Sequence, residues 1–247
     1  MQAFGLTDTG RIRETNEDNF AIVGFSDMQQ NGGVCVVADG MGGHKAGEVA
    51  SGETVKIVSN EMQPYIGKDL IAQNIKVLLV SSIKNANTAV RKLAEDAPGR
   101  AGMGTTVVAA HITDDAVYIA NVGDSRAYIV NADEIKQLTV DHSLVENLIA
   151  DGTITREEAK THSRKHVITR AVGTETDILT DVFEYKYKKG RDTLILCSDG
   201  LTEMLDDNEI FNITNASEYI KLAVQNLINK ANEYGGTDNI TVVGVRL

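Results

Sequence analysis

Five acidic sites in this chain stand where apolar segments begin or end. Val34-Cys35-Val36-Val37-Ala38-Asp39-Gly40-Met41 and Leu194-Ile195-Leu196-Cys197-Ser198-Asp199-Gly200-Leu201 repeat one pattern, an apolar run closing on Asp-Gly, 160 positions apart. Such a run bounded by glycine reads as a strand buried on both faces, so Asp39 and Asp199 are expected where two core strands surface, meeting at one sheet edge. Asp238-Asn239 precedes its apolar run, Ile240 to Val245, in the reverse order. An antiparallel strand there would start beside the ends of the other two and bring three acids together. Asn16-Glu17-Asp18 precedes an apolar segment from Phe20 in the same way, and Asp124, in Gly123-Asp124-Ser125-Arg126, follows another. Singly, each is an ordinary turn signal. Crowded together, carboxylates repel one another unless cations neutralise them, and an oxygen-only donor set suits the hard ions Mg²⁺ and Mn²⁺.

The elements that must carry these acids follow from periodicity. Strands are expected over Ala3 to Asp8, Phe20 to Phe25, the run ending at Asp39, Thr105 to Ile112, Ala116 to Asn121, Ala127 to Val130, Asp181 to Tyr187 and Thr193 to Ser198, besides the last run from Ile240. Glycines 40, 42, 43 and 47 open a first helix whose small residues Ala46, Ala50 and Ser51 allow close packing. A second helix, about Lys68 to Glu95, carries Ile71, Ile75, Leu78, Leu79, Ser82, Ala86, Val90 and Leu93 at three- and four-residue spacing and stops at Pro98-Gly99. A third spans about Ser217 to Glu233 and ends at Gly235-Gly236. Between them, Asp141 to Lys165 is the most polar stretch, a flap or a solvated loop, with a short helical pattern at Leu144 to Ala150. Antiparallel strands with helical segments on either side predict α+β layering, paired sheets inside and helices outside.

Composition narrows the function. With 42% hydrophobic residues, two prolines and no low-complexity stretch in 247 residues, one domain over 1–247 is expected. Thirty-five acids against 24 bases leave a net charge of -11, which disfavours nucleic acid or an anionic membrane as partner. No apolar run reaches the roughly 20 residues of a membrane span, and no basic and apolar leader opens the chain, so a cytoplasmic protein is expected. Cys35 and Cys197 fall inside apolar runs, as reduced hydrophobes do.

Six motifs in order then carry a resemblance: Arg13-Glu14-Thr15-Asn16-Glu17-Asp18, Ala38-Asp39-Gly40-Met41-Gly42-Gly43, Gly104-Thr105-Thr106, Asn121-Val122-Gly123-Asp124-Ser125-Arg126, Ser198-Asp199-Gly200-Leu201 and Thr237-Asp238-Asn239-Ile240-Thr241. From Gly5 to the C-terminus the chain resembles the metal-dependent Ser/Thr protein phosphatases of type 2C in their compact bacterial form. The resemblance implies a four-layer αββα sandwich of two antiparallel sheets with a binuclear Mn²⁺/Mg²⁺ centre at one end. It makes Asp39 the carboxylate bridging both ions and Gly40 a ligand through its carbonyl, where the lack of Cβ permits close approach. Asp199 and Asp238 would hold one ion, Glu17 and Asp18 the other directly or through water, and Asp124, with Asp199, a weaker third. Hydroxide held between two ions is then the nucleophile toward phosphorus, with no protein nucleophile. Arg13 matches the phosphate-binding arginine, a fork that grips two oxygens; the bland alternative is an ion pair with Glu14 or Glu17. Larger relatives have histidine after the Asp-Gly as suspected general acid; here Met41 occupies that position, and His44 is the candidate proton donor.

The resemblance therefore implies hydrolysis of phosphoserine and phosphothreonine in proteins, by a monomer opposed by a cognate Ser/Thr kinase. Two other readings stay open at this point: a catalytically weak phosphoprotein-binding regulatory module, and a phosphatase of small metabolites.

Overall fold

Strand alternation sorts the apolar residues into three buried layers. The computed structural model describes residues 1–25, 32–42 and 46–247. One sheet runs β1 (Gln2–Asp8), β11 (Ile240–Arg246), β10 (Thr193–Cys197), β7 (Arg126–Val130), β8 (Ile135–Gln137). The other runs β2 (Asp18–Val23), β3 (Gly33–Met41), β5 (Val107–Ile112), β6 (Ala116–Val122), β9 (Asp181–Lys186), with β4 (Gly104–Thr105) pairing the end of β3. All of these strand pairings are antiparallel.

Successive strand side chains point to opposite faces. Cys35, Val37, Val108, Ala110, Leu194, Leu196 and Val243 therefore fill the space between the sheets. Val34, Val36, Val107 and Ala109 turn the other way onto α1 (Ala46–Met62) and α2 (Ala72–Glu95), meeting Ile75, Leu79 and Ile83. On the opposite side Ile195, Cys197 and Val242 meet Ala223, Val224 and Leu227 of α7 (Ile220–Glu233), with Ile210 of α6 (Asp207–Ala216) beside them. The order is helix, sheet, sheet, helix, the expected four-layer sandwich. Burial on both faces explains why β3 and β10 are continuous apolar runs where a one-sided strand would alternate. Truncating an inner residue such as Leu79 to alanine would cost about 2–5 kcal/mol.

Three expectations need correction. Helix α2 starts at Ala72, not near Lys68: Ile71 has extended backbone as its N-cap and is 68% exposed, so the buried stripe begins at Ile75. Two further helices, α4 (Arg156–Lys160) and α6, lack a strong apolar period but each has a capping box, Thr155 with Glu158 and Asp206 with Glu209. That Thr/Asp-x-x-Glu spacing is the signal the sequence offers for them. The short helix α5 (Asp199–Thr202) follows β10 without a loop.

The polar segment after β8 holds α3 (Leu144–Ala150), on the predicted bounds, and α4. Its two ends are sewn together by a bridge between Ser143 and Ile168, by Leu144 N–H donating to Val167 O (2.8 Å) and by Thr169 N–H donating to His142 O (2.7 Å). It is thus a closed lobe with both ends rooted in the sandwich. Among the described residues no helix is long and apolar enough to cross a membrane.

Candidate metal centre

The layer between the sheets is apolar along its length and becomes polar at one end. Parity dictates this. Phe20 and Ile22 face inward from β2, so Asp18 does too; Cys35 and Val37 face inward from β3, so Asp39 does too. Asp18 and Asp39 are direct cross-strand partners. Across the gap, Leu194 and Leu196 set Ser198 inward and Val243 and Val245 set Thr241 inward. Ser198 Oγ donates to Asp18 Oδ2 (2.8 Å) and accepts from Thr241 N–H (2.9 Å). Asp199 follows Ser198 as the first residue of α5, and Asp238 lies just before β11, whose antiparallel register beside β10 brings it to the same end.

One geometric expectation is corrected. Asp39 and Asp199 do not meet at the edge of one sheet: they come from different sheets, and Asp39 lies inside β3, two residues before its end. The Asp39 carboxyl still feels the charge of Asp199, which helps raise its pKa.

Backbone contacts fix each acid. Asp39 N–H donates to Thr106 Oγ1 (3.0 Å), while its carbonyl accepts from Thr105 Oγ1 (2.8 Å) and Thr106 N–H (2.9 Å). Thr106 Oγ1 in turn contacts Ser125 Oγ (2.7 Å), next to Asp124. Gly40 N–H donates to Glu17 O (3.1 Å), and Ser51 Oγ of α1 donates to the same carbonyl. A Cβ at Gly40 would collide with the carbonyls of Gly47 and Glu17, so only glycine lets β3, α1 and the start of β2 converge. Asn239 is the rivet: its Nδ2 donates to Thr9 O and Thr15 O (2.9 Å each), and its Oδ1 accepts from Glu17 N–H (2.8 Å). Sequence reasoning misses Thr105, Thr106, Ser198, Asn239 and Thr241 as site residues, although each lies within a quoted motif as a polar residue beside an apolar run.

Crowding raises the carboxyl pKa values. Burial, then the charges of Asp18, Asp199 and Asp124, hold Asp39 well above the ordinary carboxylate range. Burial, then Asp124, Glu203 and Asp238, do the same to Asp199. Burial pushes Asp18 up to about 6 against the hydrogen bonds from Thr241 and Ser198, and burial with the charge of Asp141 pushes Asp124 to about 6. Glu17 is raised too, chiefly by burial. Among the described residues, buried Asp18 Oδ1 and Asp199 Oδ1 have no hydrogen-bond partner. Among the described residues no three His, Cys, Asp or Glu side chains are closed around one point; like charges hold one another apart. Orphaned hard oxygens, mutual repulsion and the glycine cradle are the features a divalent cation would satisfy, so the residues fit one.

Arg13 joins this pole. Its Nη2 donates to Asp238 Oδ2 (2.6 Å), so its partner is Asp238 and not Glu14 or Glu17. Burial opposes its charge, but Asp238, then Asp39 and Asp199, keep its pKa above the ordinary value. At 55% side-chain exposure the guanidinium still presents donors to solvent. His44 lies outside the described residues. Cys35 and Cys197 are free and buried, and burial pushes the Cys197 thiol up to about 12, which leaves no thiolate at neutral pH.

Comparison with known proteins identifies the arrangement. The family model described as "Protein phosphatase 2C" matches residues 11–232. The serine/threonine phosphatase stp of Listeria monocytogenes is 42% identical over 98% of this chain and 94% of its own length. The crystal structure of Stp1 from Staphylococcus aureus, a serine/threonine phosphatase, superposes with a TM-score of 0.88 at 38% identity, covering 100% of this chain and 94% of that one. The catalytic domain of the phosphatase PstP, solved in complex with two manganese ions, superposes with a TM-score of 0.83 at 30% identity, covering 98% and 96%. Sequence, topology and the acidic pole agree, and this chain belongs to the protein phosphatase 2C family.

Proposed function

We propose that the acidic pole is where this serine/threonine phosphatase hydrolyses phosphoserine and phosphothreonine esters, with Asp39, the carbonyl of Gly40, Asp199, Asp238, Glu17 and Asp18 holding two Mn²⁺ or Mg²⁺ ions and Asp124 a weaker third. The observation that carries this is the pair of buried oxygens, Asp18 Oδ1 and Asp199 Oδ1, unpartnered among the described residues and set among acids delivered from both sheets. When bound, divalent ions at such a site supply Lewis-acid activation of water and neutralise charge on the phosphoryl group.

The chain's own residues do the rest. The water oxygen bonds to phosphorus, the bond from phosphorus to the serine or threonine oxygen breaks, and inorganic phosphate and a free hydroxyl leave. Arg13 exchanges part of its contact with Asp238 for two nonbridging phosphoryl oxygens, a planar fork on a planar edge. The raised carboxyl pKa values give Asp39 and Asp199 the means to hold a proton before ions enter and release it when they do. The likeness to serine/threonine phosphatases favours a phosphorylated protein segment over a small metabolite. The same reading makes residues 1–247 one catalytic domain, with a Ser/Thr kinase as its natural opponent.

Purified protein should hydrolyse a phosphothreonine peptide with Mn²⁺, and faster than it hydrolyses small sugar phosphates. EDTA should abolish turnover and Mn²⁺ restore it. Undiminished turnover in EDTA would overturn the reading.

A further inference from the structure

Asp124 is bracketed by two consecutive residues of the segment that leads into the flap lobe. On one side Asp141 takes a bidentate grip on Arg126, with Nε at 3.0 Å from both carboxylate oxygens and Nη2 at 2.6 Å from Oδ2. On the other side His142 and Gly123 exchange a reciprocal pair: Gly123 N–H donates to His142 Nδ1 (3.1 Å) and His142 N–H donates to Gly123 O (3.0 Å). Asn121 Nδ2 adds a second bond to Gly123 O (3.2 Å). Gly123 has φ +107°, and a Cβ there would press on the Thr106 side chain, so only glycine fits this turn. His142 is 5% exposed.

Because Nδ1 accepts, the imidazole carries its proton on Nε2, which faces Asp181 Oδ2 at 3.2 Å. Arg170 Nη1 lies 3.1 Å from Nε2 and 2.9 Å from Asp181 Oδ1. A guanidinium accepts nothing, so both N–H groups converge on the Asp181 carboxylate at the start of β9. Arg170 sits at the return end of the lobe, and Thr169 N–H donates to His142 O (2.7 Å). The ring thus joins both roots of the flap to the turn carrying Asp124.

We propose that His142 is a positioning residue: through Gly123 on one ring nitrogen and Asp181 with Arg170 on the other, it sets the Asp124 carboxylate for its ion and ties that ion's site to the flap. This rests on the reading of Asp124 as an ion-holding carboxylate. Asparagine at 142 can offer Oδ1 near the place of Nδ1 and keep the Gly123 contact. Glutamine can reach toward Asp181 and loses Gly123.

Mn²⁺ is titrated calorimetrically into metal-free full-length protein, alongside kcat and KM on a phosphothreonine peptide. Removing an outer-shell partner should weaken the Asp124-dependent binding about tenfold in His142→Gln. His142→Asn should recover to within about threefold, and KM should change less than kcat. Asp124→Asn should lose the same binding event. If Asp124→Asn leaves the titration unchanged, the reading of Asp124 fails and this proposal with it. If Asp124→Asn loses the ion while His142→Gln binds as wild type, or if His142→Asn and His142→Gln fall equally, only the positioning role is overturned. Should His142→Gln not fold, Asp181→Asn, at a 40% exposed side chain, decides instead: a weakened Mn²⁺ titration supports the proposal, and an unchanged one overturns it.

Discussion

The acids of the strand ends and the acid at Asp124 share one pole of the molecule but are held by different means. Asp39 and Asp18 are extensions of β3 and β2, placed by ladder hydrogen bonds and by inner-face parity, with hydroxyl and amide groups trimming their position. Asp124 sits in a turn whose neighbours are gripped by side chains from another segment, the charged Asp141 on Arg126 and the neutral ring of His142 on Gly123. Backbone placement survives the loss of one side chain. Placement by a half-buried ion pair does not, because deleting one partner leaves the other charge uncompensated.

Two outcomes put this contrast at risk, and two more set the scale beside it. Asp39→Asn should lower kcat by about 10³-fold or more, removing roughly 4 kcal/mol of transition-state stabilisation. Its far-UV circular dichroism should stay that of the wild type, since β3 does not depend on the carboxylate for its pairing; a variant that unfolds would end the distinction. Arg126→Met should show the opposite balance, losing about 3 kcal/mol of stability in urea while keeping more turnover than Asp39→Asn. Asp141, whose side chain is 12% exposed, would be left with Gln137 as its remaining side-chain hydrogen-bond donor among the described residues.

His111 belongs to neither region and calibrates the stability side. It is 1% exposed on β5, and burial lowers its pKa to about 4. A histidine held neutral in the fold keeps its contribution above its unfolded pKa of about 6.5 and loses it as pH falls toward 4. His111→Leu should therefore gain about 2 kcal/mol on the wild type between pH 7 and pH 4.5, read as a change in the urea midpoint difference. A difference that stays constant with pH would mean the ring is charged inside the fold. Arg13→Ala should have the smallest effect, raising KM about tenfold with a lesser change in kcat, about 1.4 kcal/mol. A fall in kcat alone would reassign Arg13 from gripping the phosphate to acting in the transition state.

Legibility follows local physics. Asp-Gly at the close of an apolar run announces Asp39 and Asp199, because a short apolar run bounded by glycine reads as a doubly buried strand. The α2 and α7 stripes are visible at helical spacing, while α4 and α6 are not, because short helices nucleated by capping boxes need little apolar period. Ile71 falls in step with the buried stripe without belonging to it, because spacing cannot tell an N-cap from the first buried turn. The hydroxyls of Thr106 and Ser198 are hidden for another reason: their importance depends on what faces them from the other sheet.

The order of residues alone establishes which segments are buried strands, where each acid sits along them and, through six ordered motifs, the family. Those properties are set by neighbours within a few residues. Folding in three dimensions settles the rest: Asp39 and Asp199 come from different sheets, Arg13 pairs with Asp238, and His142 reaches Gly123. Each of these joins segments apart in the chain, and their meeting depends on which sheet faces pack together, which no local pattern encodes.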